Sequence, residues 1–237
     1  MFEAVFWVAL LKIIGVNIIL SGDNAVVIAM ACRSLPHRQR LWGMILGAGV
    51  AVVLRIIFTG VVASLMLLPW LKLIGGLALF YIAAKLLVPE DPDENETEAA
   101  HHLWRAVRIV AIADIIMSLD NVIAIAAAAG GNMALLVIGL GISIPLIVAG
   151  AALIMALLDR YPILVWAGAA LLGWIVGEVI VTDPAIQGYI EPKLGAEGFH
   201  YLMLFAALAG AILVLAVGGM WRRSKQGEHT EKVSAAE

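Results

Sequence analysis

A chain of 237 residues that is 63% hydrophobic and 14% charged, with a mean hydropathy of +1.01, lies well outside the soluble range of roughly 45–50% apolar residues. This composition excludes an ordinary water-soluble domain; the net charge of −3 is uninformative, and nucleic acid is not an expected partner. The single cysteine, Cys32, cannot close an internal disulfide and is expected to pack as a small apolar residue at a helix end.

Apolar runs of about 20 residues, each able at 1.5 Å per residue to cross a hydrocarbon core of roughly 30 Å, recur along almost the whole chain. In chain order the predicted spans lie near residues 4–32, 41–68, 71–88, 105–129, 133–158, 162–181 and 201–220. The runs are continuously apolar rather than alternating, which excludes a transmembrane barrel. The expected fold is therefore an all-α membrane protein of about seven transmembrane helices, with the lipid bilayer as its solvent. Met1 to Trp7 carries Glu3, no basic cluster and no following cleavage site, so the first span is expected to remain in the mature chain.

Charge placement gives the orientation. With seven spans, Arg33, Arg38, Arg40, Arg105, Arg108, Arg160, Arg222, Arg223, Lys225 and Lys232 fall on one side, and the opposite loops hold little beyond Lys193. Loops retained in the cytoplasm carry the excess of Lys and Arg, so the N-terminus is expected outside and the C-terminus in the cytoplasm. Trp42, Trp70, Trp104 and Trp221 stand at span edges, where interfacial anchors belong.

The chain also resembles itself. Ser21-Gly-Asp-Asn-Ala-Val-Val-Ile-Ala29 in the first span matches Ser118-Leu-Asp-Asn-Val-Ile-Ala-Ile-Ala126 in the fourth at five of nine positions, 97 residues apart. At an offset of 93, Pro69, Gly75, Ile82 and Val88 of the third span match Pro162, Gly168, Ile175 and Val181 of the sixth. Three spans per copy is an odd number, so the second copy must enter the membrane from the opposite side: the repeats are inverted, a recurrent transporter plan with its site near the midplane. The expected organisation is a first repeat over 1–88, an acidic cytoplasmic linker with His101 and His102 over 89–104, and a second repeat over 105–181. An outer loop and seventh helix follow over 182–223, then a polar, disordered tail over 224–237.

Ionisable groups within the hydrocarbon layer cost roughly 2.5–3.5 kcal/mol each on insertion scales and are functional candidates by default. Asp23, Asp114, Asp120 and Glu178 lie well inside spans, as do Arg55 and Lys85. Static pairing of Arg55 and Lys85 with two of the acids accounts for neither the other two nor their repeated context. At the repeat offset Asn17 matches Asp114, Asp23 matches Asp120, and Asn24 matches Asn121, a pseudo-symmetric set of six oxygen-bearing side chains. At about 100° per residue, Asn17, Ser21 and Asn24 share one helix face, as do Asp114, Ser118 and Asn121, while each motif Asp points elsewhere. Local unwinding at Ser21-Gly22 and at Ser118-Leu119 would unite each set and free backbone carbonyls.

Carboxylate and amide oxygens suit hard divalent ions such as Mn²⁺, Mg²⁺ or Ca²⁺, whereas zinc and copper prefer imidazole and thiolate. His37, His101, His102, His200 and His229 are all expected in loops or the tail and Cys32 stands at a span edge, so a soft-metal pathway has no ligands. No phosphate-binding loop, catalytic pair or cofactor motif is present, so neither an enzyme nor a tightly bound cofactor is expected. Gly43 and Gly47 form a G-x-x-x-G pair that points to close helix packing and leaves a homo-oligomer open.

The two S-x-D-N motifs and the arrangement of three, three and one spans resemble the TerC family of bacterial membrane proteins over nearly the whole chain. The resemblance implies a multi-pass protein of the bacterial inner membrane that exports Mn²⁺ from the cytoplasm, with the acidic motif residues as ligands. On this expectation Mn²⁺ is the transported ion, exchanged for another cation. Asp23, Asn24, Asp120, Asn121, Asp114 and Asn17 form the metal site, and Glu178, Arg55 and Lys85 carry protons or counter-charge. Many members carry an acid six residues before the first motif Asp, where this chain has Asn17. Two other readings stay open: a non-transporting subunit that scaffolds partners or supplies metal to exported enzymes, and an exporter of a small organic solute.

Overall fold

The computed structural model describes residues 2–65, 68–88, 96–129 and 132–234. It is helical throughout, with no strand among the described residues: α1 (Phe2–Leu20), α2 (Gly22–Cys32), α3 (His37–Leu65), α4 (Leu71–Leu86), α5 (Glu96–Ala129), α6 (Met133–Arg160), α7 (Ile163–Val181) and α8 (Pro184–Ser234). Four stretches are long and apolar enough to cross a bilayer, His37–Thr59, Met133–Arg160, Ile163–Val181 and Pro184–Gln226, and the bent pair α1–α2 makes a fifth. Large apolar side chains point outward along them, among them Leu11, Leu153 and Phe205 at 66%, 65% and 70% exposure. Such faces would drive aggregation in water and are ordinary in lipid.

The helices group into two compact units, residues 1–68 with 92–160, and residues 69–91 with 161–237. In the first, Gly139 of α6 lies against Ile13 and Leu10, and Gly150 against Ala25, so α6 runs parallel to α1–α2. Gly43 of α3 meets Cys32 and Leu103, and Gly47 meets Val110, so α3 runs parallel to α5 and opposite to α1–α2. The helices that carry the two Asp-Asn motifs therefore run in opposite directions. Leu10, Ile13, Val52, Ile125, Leu136 and Leu140 fill the space between them. The expected G-x-x-x-G pair packs within the chain, since a methyl group at Gly43 would stand 2.9 Å from Cys32 Sγ. Arg40 ties one end of this unit together: its guanidinium donates to Asp159 at 2.6 Å, to Leu35 O at 3.1 Å and to Arg33 O at 3.0 Å. Cys32 is fully buried at the end of α2, as its composition predicts.

In the second unit α4 and α7, the spans matched at the offset of 93, pack antiparallel, with Gly76 against Ile180. The tightest helix contact lies between α7 and α8. A methyl group at Gly173 would sit 2.6 Å from Gly210 O, and one at Gly177 would overlap Ala206 O. Without a hydrophobic drive between helices in lipid, this approach of bare backbones supplies dispersion contact directly. Asp183, fully buried between α7 and α8, accepts backbone N–H groups from Trp70 (3.0 Å) and Leu73 (3.1 Å) of one helix start and from Ala185 (2.9 Å) of another. One carboxylate thus caps α4 and α8 together. It also steadies Trp70, whose φ of 70° is left-handed and costly for a residue with a side chain.

Several expectations differ from this outcome. The linker expected over 89–104 is helical from Glu96, with His101 and His102 inside α5, and residues 89–95 fall outside the described set. His37 opens α3, and His200 and His229 lie in α8, so the histidines expected in loops or the tail stand on helices. The outer loop over 182–200 is mostly the first arm of α8, bent at Gly195 (φ 71°), a position only glycine takes without strain. The tail expected to be disordered continues α8 to Ser234, because Lys, Gln and Glu favour helix once a span has nucleated it.

Candidate functional site

The first break in regular structure falls where the motif predicts it. Ser21, with φ −111° and ψ 5°, interrupts the run between α1 and α2, and the axes of Phe6–Ile18 and Gly22–Cys32 differ by 51°. Gly22 follows at once and has open space beside it. The matching break at Ser118-Leu119 is absent: α5 runs unbroken from Glu96 to Ala129. Leu119 stands where the first copy has Gly22, and leucine favours helix by up to about 1 kcal/mol over glycine.

At this break the first unit buries a polar cluster around Arg55 of α3, which is 2% exposed. Its Nη1 donates to Asn17 Oδ1 at 2.5 Å and to Ser21 Oγ at 3.0 Å. Its Nη2 donates to Asp114 Oδ1 at 2.5 Å and to Ser118 Oγ at 3.0 Å, and Nε reaches Ser118 Oγ at 3.3 Å. Ser21 in turn donates to Asn17 Oδ1 at 3.3 Å. Asn17, Ser21, Asp114 and Ser118 are all 3% exposed or less. An unpaired charge at such depth would cost several kcal/mol, so guanidinium and carboxylate stabilise one another's burial.

The sequence pattern places Ser21 on a face with Asn17 and Asn24, and Ser118 on a face with Asp114 and Asn121, but only the fold brings both serines onto one arginine. Asp23 is half-buried, accepts Asn24 N–H at 2.8 Å, and lies within electrostatic reach of Arg55 and Asp114. Asn24 is buried on α2, and Asn121 joins the motif helices by donating to Leu20 O at 3.2 Å, a carbonyl at the break. The side chain of Asp120 lies outside the described set. Asp114 Oδ2, Asn17 Nδ2 and Asn24 Nδ2 are buried without a hydrogen-bond partner. Among the described residues no three His, Cys, Asp or Glu side chains converge as metal ligands, so any cation held here would rely on amide and hydroxyl oxygens beside the carboxylates.

Glu178 and Lys85 belong to the second unit. There Glu178 accepts the Trp174 indole N–H at 2.7 Å, and Lys85 Nζ lies 5.6 Å from the Tyr81 ring centre. Asp183 escaped the sequence reading, although Asp followed by Pro184 at a helix start is a recognisable cap signal.

Comparison with known proteins identifies the chain as a membrane protein. The model of the integral membrane protein TerC family matches residues 2–226. The chain is 46% identical over 182 residues to YjbE, an uncharacterized membrane protein of Bacillus subtilis, covering 77% of this chain and 83% of the relative. It is 26% identical over 210 residues to YceF of the same organism, with 85% and 76% covered, and 25% identical over 211 residues to a UPF0053 protein of Haemophilus influenzae, with 80% and 89% covered. No solved structure matches. The chain belongs to the TerC family of integral membrane proteins.

Proposed function

We propose that the chain is a secondary transporter that exports Mn²⁺ from the cytoplasm by cation antiport, through an all-oxygen site in the first unit. The observation that carries the proposal is the buried cluster of Asn17, Ser21, Asp114 and Ser118 at the α1–α2 break, flanked by Asp23 and Asn24. Its acceptors are carboxylate, amide and hydroxyl oxygens, the donor set of a hard divalent ion, with no imidazole or thiolate among them. Asp120 and Asn121 complete the site in this reading. The proposal counts α1–α2 as one span and α4 and α5 as two more, seven in all, with the N-terminus outside. The opposed directions of the two motif helices support an inverted repeat. An enzymatic role is not proposed.

Export of a zwitterionic organic solute is less well supported. Arg55 is the buried cation beside the break, and five hydrogen bonds already engage its N–H groups, leaving none for a substrate carboxylate. The test is purified protein in liposomes loaded with Mn²⁺, followed with and without a pH gradient. Flux that responds to the gradient and disappears in Asp23→Asn and Asp120→Asn proteins is the expected result. Normal Mn²⁺ flux in a well-inserted Asp120→Asn protein would remove that residue from the site, and no flux in the wild type would end the proposal.

A further inference from the structure

We infer that Arg55 is a tethered cation that occupies the oxygen cluster between transport events, so that incoming cargo must displace it. This makes Arg55 the residue that sets the site's affinity and its preference for divalent over monovalent ions. The inference rests on the transport reading above and describes how that same site is controlled.

The guanidinium holds the acceptors that a hard cation would use: Asn17 Oδ1, Ser21 Oγ, Asp114 Oδ1 and Ser118 Oγ. These form two matched pairs, Asn17 with Asp114 and Ser21 with Ser118, each 97 residues apart. Two copies of one motif thus converge on a single residue that has no copy of its own. Val148 and Ala152, the positions 93 and 97 residues beyond Arg55, are uncharged. A residue that served only as internal glue for a duplicated pair of helices would need no such asymmetry, whereas one stand-in for one cargo ion does.

The grip is also incomplete, since Asp114 offers only one of its two oxygens to Arg55 and its Oδ2 is buried without a hydrogen-bond partner. A divalent ion can draw on both Asp114 oxygens and on Asp23 as well. Its attraction to each carboxylate is twice that of a monovalent ion at the same distance. A monovalent ion would merely exchange one charge for another while forfeiting five hydrogen bonds, so it gains too little to evict the guanidinium.

The test uses the purified full chain in lipid nanodiscs, with Mn²⁺ and K⁺ as probes, comparing wild type with Arg55→Gln and Arg55→Lys. Removing the competitor should tighten Mn²⁺ binding by about tenfold or more, and Mn²⁺ should raise the melting temperature of Arg55→Gln more than that of the wild type. Arg55→Lys, which keeps the charge but has three donors rather than five, should fall between them. K⁺ should compete with Mn²⁺ in Arg55→Gln and not in the wild type. A folded Arg55→Gln protein with unchanged or weaker Mn²⁺ affinity overturns the inference.

Should that variant not fold, wild type treated with an arginine-modifying dicarbonyl decides instead. Mn²⁺ should increase modification of Arg55 as read by peptide mapping, and protection or no change overturns the displacement. Wild type that transports Mn²⁺ while Arg55→Gln binds it no tighter removes the tethered cation alone. Absence of Mn²⁺ flux in the wild type, with no binding in Arg55→Gln either, removes the transport reading and the inference together.

Discussion

Replacing Asp114 by Asn separates charge from shape at the best-defined ion pair in the chain. Asp114 and Arg55 are 3% and 2% exposed, and they meet at 2.5 Å. The amide retains an oxygen for Arg55 Nη2 but leaves the guanidinium without its charged partner. Breaking a buried pair on one side costs about 3–5 kcal/mol. For a chain of this size that corresponds to a fall in melting temperature of roughly 6–20 °C. Asp23→Asn is the control: Asp23 is only half-buried and its bonded partner is the Asn24 N–H, which an amide oxygen also accepts, so its stability should change by no more than about 1 kcal/mol. The double variant Asp114→Asn with Arg55→Gln removes both charges and should regain most of the loss. Thermal melting of the detergent-solubilised protein, read by size-exclusion chromatography, gives all four values alongside membrane abundance. An Asp114→Asn protein that melts within about 2 °C of wild type, or an Asp23→Asn protein that falls as far, would refute the pairing and its energetics.

Four further outcomes are expected. Asp183→Ala removes the shared cap of α4 and α8 and should cost about 3 kcal/mol or more, seen as a lower melting temperature. Burial opposes ionisation of Asp183, but backbone N–H groups of Trp70, Ala185, Leu73 and Lys72 outweigh it and hold the carboxyl below its usual value. Its stabilising contribution is therefore complete above the unfolded value of about 3.9 and lost as pH falls through the lower folded value, so Asp183→Asn should flatten the acid limb of a melting-against-pH curve. Gly177→Leu places a side chain where Ala206 O already lies and should reduce membrane abundance sharply, whereas Gly188→Ala, with open space around it, should not. Membrane-impermeant labelling of engineered cysteines should reach residues 182–200 from outside intact cells and should not reach residues 33–40 or 222–237. Labelling near Arg38 would reverse the orientation.

The membrane class, the helical fold and the break at Ser21-Gly22 were legible from the sequence, because each follows from local chemistry. Continuous apolarity dictates burial in lipid, backbone groups in lipid must bond within their own helix, and Gly22 weakens the helix at that point. The repeated S-x-D-N string likewise marked both motif helices before any contact was known. Repetition alone, however, could not foresee that the second copy stays helical, since Ser118-Leu119 lacks the glycine that loosens the first. Nor does a linear pattern say which acid an arginine 59 residues away will choose: Arg55 pairs with Asp114 rather than with Asp23 because antiparallel packing of α1–α2 against α3 and α5 brings Asn17, Ser21, Asp114 and Ser118 to one point. The closest seam, Gly173 and Gly177 against Ala206 and Gly210, was equally silent in the sequence, because a small residue records that room exists and only the neighbouring helix decides what fills it. Burial of an ion pair is a property of three-dimensional proximity in a low-dielectric interior, and so it was the tertiary structure that gathered Asn17, Ser21, Asp114 and Ser118 onto Arg55 and assigned Glu178 and Lys85 to the other unit.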